Sequence, residues 1–391
     1  MPTPVQPYKV TMTCPVFEPG FRAGGPIRSV AHIIDTLPND VDLRLITSDR
    51  DLGDKHSYPG LSGRWVDRGN SKIYYLNASS RRQWFAVWKR LRADSPDLLY
   101  VNSLFNPRFS LVPILASWLR MIRPSAILIA PRGELSPGAL QLKSVKKRAF
   151  IAMWRYLLRG SKVFWHASAE LEAADIRRQF IGASVVVNQN QSGLPREPLR
   201  PVATSTVAKL VFISRVSPKK NLAAALEALQ RVEREVEYDI YGPIEDKEYW
   251  RTCQRVIDRL PPNVRVRYCG ELEPSEVRAT FATYDAFVFP TRGENFGHVI
   301  AESLSASCPV VCTDQTPWTD RLAAGGGIVI GNPIVESLSE ILSSIAGSDS
   351  EQRLAARKRC GEIFREWRQK SDQLSIFDAV RQRSMVRREA R

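Results

Sequence analysis

The sequence predicts an α/β protein of two Rossmann-like, doubly wound parallel-sheet domains. Three observations predict it. Short apolar, β-branched runs alternate with helix-length amphipathic segments nearly throughout the chain, the pattern of strands buried on both faces and covered by helices. The alternation occurs twice, on either side of residues 192–206, where three prolines and no periodic apolar pattern mark a linker. Length agrees, since 391 residues make two domains at roughly 100–200 residues each.

In order, the first half offers strands at Leu43–Thr47, Ile73–Leu76, Leu98–Val101, Ala126–Ala130, Val163–Trp165 and Val185–Val187. The second half offers Leu210–Ile213, Tyr238–Tyr241, Val264–Tyr268, Ala286–Phe289, Pro309–Cys312 and Ile328–Ile330. Helices are expected between them at 27–37, 81–92, 143–159, 170–180, 220–233, 246–259, 275–283, 297–306 and 351–368. The expected division is 1–195 for one domain and 196–370 for the other, with 371–391 a tail that is either a frayed end or a helix returning to the first domain.

Charge is distributed unevenly. The chain carries 56 Lys and Arg against 41 Asp and Glu, a net +15, and such an excess points to an anionic partner. Residues 1–200 hold 29 basic and 15 acidic side chains, so nearly all the excess lies in the first half. Residues 81–162 hold 16 basic side chains and three acidic ones, Asp94, Asp97 and Glu134. The N-terminal Met-Pro-Thr-Pro-Val-Gln-Pro lacks the apolar core of a secretory signal. The most apolar run, Phe109–Leu119, contains Pro113 and is shorter than the roughly 18–20 residues of a spanning helix. Six cysteines form no CxxC pair and there are four histidines, so neither a disulfide framework nor a zinc site is expected. A reduced, cytoplasmic setting is the expectation.

Ligands of open α/β sheets bind beyond the carboxyl ends of the strands, and anions favour helix N-termini. In the second half, Leu210-Val-Phe-Ile-Ser-Arg-Val-Ser-Pro-Lys-Lys-Asn-Leu leaves a strand into a loop with Arg215, Lys219 and Lys220 before a helix. Two such cations can clamp a diphosphate, Arg215 bidentately and a lysine as a point charge; solvated surface charge is the other reading. A later unit, Ala286-Phe-Val-Phe-Pro-Thr-Arg-Gly-Glu-Asn-Phe-Gly-His-Val-Ile-Ala-Glu-Ser-Leu, places Glu294 and Glu302 eight residues apart. On a helix this is at most about 12 Å, wider than the roughly 5–9.5 Å between the paired carboxyls of a glycoside hydrolase. One carboxylate for the hydroxyls of a sugar and one for those of a ribose fit better, with a diphosphate between them.

Glu294-Asn-Phe-Gly-His-Val-Ile-Ala-Glu302 resembles the E-x7-E signature of retaining nucleotide-sugar glycosyltransferases of the GT-B fold, family 4 (glycosyl transferases group 1). Pro-Thr-Arg-Gly before it, Ser-Ala-Ser-Cys-Pro-Val-Val after it, Ser-Arg-x-x-Pro-Lys-Lys-Asn upstream and Gly24-Gly25-Pro26 near the N-terminus belong to the same resemblance, which spans residues 20 to 330. It implies two domains facing a central cleft, the first for the acceptor and the second for a UDP- or GDP-hexose. It also implies that Glu294 contacts the donor sugar and that the backbone of Asn295, Phe296, Gly297 and His298 holds sugar and phosphate. Glu302 would bind the ribose, and Arg215 with Lys220 the diphosphate, so Glu294, Arg215 and Lys220 form the expected catalytic set. Gly24 and Gly25 would lie over the diphosphate. No metal and no cofactor are implied, the two cations taking the place of a divalent ion.

The chain departs from the family pattern at Ser214, where a Gly is usual, and at Arg132 in Ile129-Ala-Pro-Arg-Gly-Glu, where many members carry His. Arg132 stays protonated and cannot be a general base. It is expected to bind an acceptor or leaving-group anion, with Glu134 as a neighbouring acceptor contact; a local Arg132–Glu134 ion pair is the other reading. His298 can contact the sugar by its imidazole or its N–H alone, and His166 reads as structural.

Helix 81–92 sets Trp84, Val87, Trp88 and Leu91 on one stripe, and helix 143–159 sets Phe150, Trp154, Leu157 and Leu158 on another. Such stripes are usually core, yet the scarcity of acids over 81–162 also suits an anionic membrane surface on the inner face of the plasma membrane. The expectation is a hexosyltransferase that builds surface polysaccharide of bacterial type, its acceptor a glycan or one linked to a polyprenyl diphosphate. A GT-B phosphorylase or nucleotide-sugar epimerase is the alternative. A nucleic-acid-binding protein is disfavoured by the lack of a recognition helix or RNA-binding aromatic motif.

Overall fold

The computed structural model describes residues 6–141, 144–159, 162–189, 193–203, 206–369 and 374–389. Lys143 of one expected helix, parts of the expected linker (192, 204 and 205) and of the expected tail (371–373, 390 and 391) lie outside the described residues. The chain divides into two compact units, residues 1–191 with 373–391, and residues 192–372.

In the first unit the strands are β1 (Tyr8–Cys14), β2 (Val41–Ser48), β3 (Trp65–Arg68), β4 (Ser71–Leu76), β5 (Leu98–Asn102), β6 (Ala126–Ala130), β7 (Val163–Ala167) and β8 (Val185–Val187). They form one sheet in the order β3-β4-β2-β1-β5-β6-β7-β8, parallel except for the β3–β4 pair. The first strand thus lies inside the sheet and later strands are added outward on both sides, so the switch point falls between β1 and β5. Helices α1 (Gly25–Asp35), α2 (Arg81–Ala93), α3 (Val112–Trp118), α4 (Pro137–Gln141), α5 (Ser144–Leu157) and α6 (Glu170–Gln179) fill the crossovers. Strand residues alternate between two cores: Leu99 and Val101 pack with Val87, Trp88 and Trp154, whereas Leu98 and Tyr100 pack with Val30, Ile34 and Phe164.

The second unit contains β9 (Ala208–Ile213), β10 (Val236–Tyr241), β11 (Val264–Gly270), β12 (Ala286–Phe289), β13 (Val310–Thr313) and β14 (Gly327–Ile330). Its sheet is parallel throughout, in the order β11-β10-β9-β12-β13-β14, and its switch point falls between β9 and β12. The helices are α7 (Leu222–Leu229), α8 (Lys247–Ile257), α9 (Val277–Phe281), α10 (His298–Ser305), α11 (Thr319–Arg321), α12 (Ile334–Gly347) and α13 (Ser350–Gln369). Helix α14 (Ile376–Glu389) belongs to the first unit, where Ile376, Phe377 and Val380 enter the core.

Strands β1 and β3 and helices α3, α4, α11 and α12 are additions to the expected elements. The apolar stripes of 81–92 and 143–159 turn inward: Val87, Trp88, Leu91, Trp154 and Leu157 are buried. Phe85, between stripe positions, is 70% exposed. No helix among the described residues is long and apolar enough to cross a membrane.

Candidate functional site

The carboxyl ends of β9 and β12 meet at the switch point of the second unit. After β9 the chain runs through Ser214 and Arg215 to Lys220, and Asn221, in the left-handed region at φ 58°, opens α7. After β12 it runs through Thr291 to Glu294, and Gly297 opens α10 at φ 78°, a backbone geometry that favours glycine. The two loops are sewn together, since the Lys219 carbonyl accepts from Arg292 N at 2.9 Å and from Thr291 Oγ1 at 3.2 Å. Gly242, following β10, faces Ser214 so closely that a Cβ there would lie 2.1 Å from the Ser214 carbonyl oxygen. Glycine is what lets the β10 end close on the loop carrying Arg215.

Lys220 and Glu294 are brought into direct contact. The Lys220 ammonium donates to Glu294 Oε1 in an ion pair whose side chains are 10% and 12% exposed. Thr291 Oγ1 lies 3.2 Å from the same oxygen, and the ammonium sits 5.2 Å from the centroid of the Phe289 ring. Arg215, from the same loop as Lys220, donates through one Nη to Glu245 Oε1 at 2.9 Å. Each cation of the expected clamp therefore has a carboxylate beside it, and two charges that sequence reasoning treated separately share one pair.

Glu302 is buried on α10, 8% exposed. The Phe296 ring is buried against His298 (4.7 Å between centroids) and Trp318 (5.6 Å), and its carbonyl accepts from Trp318 Nε1 at 2.5 Å. Phe296 thus anchors the loop through its side chain. Asn295 is partly exposed and His298 buried. Sequence reasoning missed Thr291, Glu245, Phe289 and Gly242, whose roles depend on contacts between strand ends far apart in the chain.

In the first unit the corresponding loop runs from β1 to α1. Gly24 is the N-cap of α1 at φ 66°, with Gly25 and Pro26 in its first turn. The preceding loop is tied down by the buried carboxylate of Asp51, whose Oδ2 accepts from Phe21 N at 3.0 Å and Arg22 N at 3.2 Å. Asp51 is a further residue the sequence did not single out, although its two bonds set the path of the chain toward Gly24.

Beyond β5 and β6, Arg132 has φ 54°, unusual for a residue with a side chain. Its Nε and Nη2 donate to Asn102 Oδ1 at 3.2 and 2.8 Å, and Nη2 also donates to the Tyr100 hydroxyl at 3.1 Å. Glu134 meets a different group. Its Oε1 accepts from Ser103 Oγ at 2.8 Å, and its Oε2 accepts from Leu104 N and from Phe105 N, the latter at 3.1 Å. Three donors of the loop after β5 therefore converge on this carboxylate, and burial raises its pKa. His166 is buried on β7; its Nδ1 lies 2.5 Å from the Tyr100 hydroxyl and its Nε2 2.9 Å from the Asn188 carbonyl oxygen. Burial, reinforced by the Arg132 charge, pushes its pKa down to about 3, so the imidazole is neutral at physiological pH.

Residues 200–367 match the family model described as Glycosyl transferases group 1. The chain is similar to the O-antigen chain mannosyltransferase B of Escherichia coli, 26% identical over 154 residues, or 38% of this chain and 39% of that protein. It is also similar to the poly(glycerol-phosphate) alpha-glucosyltransferase of Bacillus subtilis (strain 168), 30% identical over 163 residues, or 39% of this chain and 23% of that protein. The chain thus spans well under half the length of these relatives. Among solved structures, Anabaena HepE in complex with UDP and glucose superposes with a TM-score of 0.68 at 15% identity, covering 98% of this chain and 100% of that one. A likeness of that extent shows the fold, and the two parallel-sheet units are of the GT-B class. Over residues 200–367, the stretch that carries the Lys220–Glu294 pair, the second unit matches a Glycosyl transferases group 1 domain.

Proposed function

We propose that the protein is a retaining glycosyltransferase of family 4 that moves a hexose from a UDP- or GDP-sugar to a glycan or lipid-linked glycan acceptor in surface polysaccharide synthesis of bacterial type. The observation that carries the reading is the buried Lys220–Glu294 pair at the second switch point, with Glu302 further along the helix that Gly297 opens. In this reading Glu294 holds hydroxyls of the donor sugar, and the N–H groups of Asn295 to His298 hold sugar and phosphate. Glu302 holds the ribose, and Arg215 and Lys220 take the diphosphate charge with no metal or other cofactor. Gly24 and Gly25 give the first unit a loop that a phosphate can approach closely, while Arg132 and Glu134 face the acceptor. The leaving phosphate takes the acceptor proton, so no protein base is required. The mannosyl- and glucosyltransferase relatives and the UDP complex of HepE support a nucleotide-sugar donor.

Thermal unfolding against a panel of nucleoside diphosphates and their sugars tests the donor. One base is expected to raise the midpoint by several degrees, because a ligand at 100 times its Kd adds about 2.7 kcal/mol. No shift with any member of the panel would remove the second unit from nucleotide-sugar chemistry.

The acceptor end of the reading includes an anionic membrane. Trp118, Leu119 and Met121, 50%, 59% and 38% exposed, lie beside the exposed Arg120 and Arg123, and Phe85 stands out from α2 among Arg81, Arg82 and Lys89. Apolar side chains ringed by cations suit the boundary of an anionic bilayer, each nearby cation adding about 1 kcal/mol. Flotation with vesicles of phosphatidylglycerol and phosphatidylcholine is expected to carry the protein upward, with release by salt and no capture by phosphatidylcholine alone. Capture indifferent to phosphatidylglycerol would sink this part, and equal salt-sensitive binding to random DNA would favour the nucleic-acid alternative.

A further inference from the structure

The edge of the second sheet carries a groove that the switch-point site does not use. Strand β11 stands first in the order β11-β10-β9-β12-β13-β14, so β10 and β9 separate it from the switch point. Between this strand and α8 lies an open groove of about 740 Å³, an ordinary size for a small-molecule site. Two regular elements build it. Val266 and Tyr268 are two apart on β11 and share one face of the sheet, while Trp250, Gln254, Ile257 and Asp258 recur at the spacing of one helix face. From Glu248 to Asp258 the helix runs about 15 Å, long enough for linked rings rather than one.

The floor of the groove is aromatic and fixed. The Trp250 and Tyr268 rings lie 5.1 Å apart between centroids, tilted by 48°. Tyr268 donates its hydroxyl to the Gly242 carbonyl at 3.0 Å, yet the residue is 40% exposed, so what it offers the groove is its ring. Trp250 and Ile257 rest partly on the core of the unit, and among the described residues none accepts from the Trp250 indole N–H. The walls are polar and balanced. Glu248, paired with Arg251, and Asp258 stand against Arg251 and Arg255, so neither sign prevails and an ion gains no net attraction. Gln254 adds an amide that both donates and accepts. A pyranose answers these features together: its C–H face lies on an aromatic ring, and its hydroxyls donate to carboxylates and accept from guanidinium, amide and indole N–H. A strand of another chain is the other occupant that a sheet edge can take. Against it, Arg265 and Arg267 are exposed on the opposite face of β11, and such charges keep edges from pairing.

We propose that this groove is an accessory glycan site that holds a run of neutral hexoses, stacked on Trp250 and Tyr268, apart from the switch point. The groove stands on its own geometry, whereas the choice of hexoses as its sugars rests on the transferase reading. A chain held there stays on the protein between additions.

The test is calorimetric titration of the full-length protein with α-linked pentasaccharides of mannose, glucose and galactose, and with the three free hexoses. At least one pentasaccharide is expected to bind, and more tightly than its monomer, because only a chain covers the length of the groove. Trp250→Ala is expected to weaken that binding about tenfold through loss of the stacking face. The double variant Gln254→Ala with Asp258→Ala, both on the exposed side of α8, is expected to weaken it about fivefold through lost hydrogen bonds. It also serves if Trp250→Ala fails to fold, as read by its unfolding midpoint. Binding of none of the three chains, or full affinity in both variants, would overturn the site, the second result placing the chain elsewhere on the protein. A dimer in sedimentation that Trp250→Ala dissociates would overturn it in favour of a second copy of this chain at the edge. UDP binding in the same preparations reports separately on the transferase reading: a protein that binds UDP and no chain keeps that reading and loses this site, and one that binds a chain through Trp250 without UDP does the reverse.

Discussion

Glu294→Gln is expected to lower hexose transfer about 10³-fold, roughly 4 kcal/mol of transition-state stabilisation, while nucleoside diphosphate affinity stays equal or increases. The two halves of this expectation come from one geometry. Glu294 Oε1 accepts from Lys220 and lies within reach of Thr291 Oγ1. A glutamine preserves the size of the side chain and the Thr291 contact and removes the charge. Sugar hydroxyls that would donate to the carboxylate lose charge-assisted bonds, each contributing about 1.5–3 kcal/mol. Lys220, freed from a competing anion, is more available to a diphosphate. Turnover near that of the parent, measured as nucleotide release with the donor picked out by the unfolding screen, would remove Glu294 from the sugar site. Loss of nucleotide affinity together with activity would mean instead that the glutamate only supports the loop.

The fold was legible because its signal is local. Strand runs such as Ala286-Phe-Val-Phe and Leu210-Val-Phe-Ile are unbroken apolar stretches, as strands buried on both faces must be, and they were expected within a residue or two of where they lie. Strand β1 was not. In Tyr8-Lys-Val-Thr-Met-Thr-Cys the threonines read as polar interruptions, yet Thr11 and Thr13 are buried, and Thr13 Oγ1 donates to the Phe109 carbonyl at 2.6 Å. A hydroxyl satisfied by a partner 96 residues away is invisible to any window along the chain. Strand β3 escaped for the opposite reason, being a partly exposed edge strand of only four residues, two of them charged.

The same division runs through the candidate site. Glu294 and Glu302 lie on one strand–loop–helix unit, so their spacing alone suggested one role each. What that spacing could not supply was the partner of each charge. Lys220 meets Glu294 across 74 positions and Arg215 meets Glu245 across 30, and Arg132 and Glu134, two residues apart, turn to different neighbours on β5 and the loop after it. Charge counting located the basic half of the chain and helical spacing set the tryptophans of α2 on one stripe, but burial was needed to show that this stripe faces the core and Phe85 faces out.

Lys220→Met is expected to cost about 3 kcal/mol of stability and to weaken nucleoside diphosphate binding about 10²-fold. Both figures follow from the enclosure of the ammonium. Removing one member of a pair whose side chains are each about nine-tenths covered leaves a carboxylate without its counter-charge, a change that typically costs 3–5 kcal/mol. A charge-assisted bond to phosphate is lost as well, and 1.5–3 kcal/mol corresponds to roughly 10- to 100-fold in affinity. The double variant Lys220→Met with Glu294→Gln separates the two effects. It removes the stranded charge, so the urea midpoint should return most of the way toward that of the parent. It does not return the cation, so calorimetry should still find weak binding. Recovery of both would mean that Lys220 serves only to neutralise Glu294, leaving Arg215 to hold the diphosphate. Recovery of neither would mean that the ammonium keeps the two loops in place through more than its pair with Glu294, its position 5.2 Å from the centroid of the Phe289 ring included.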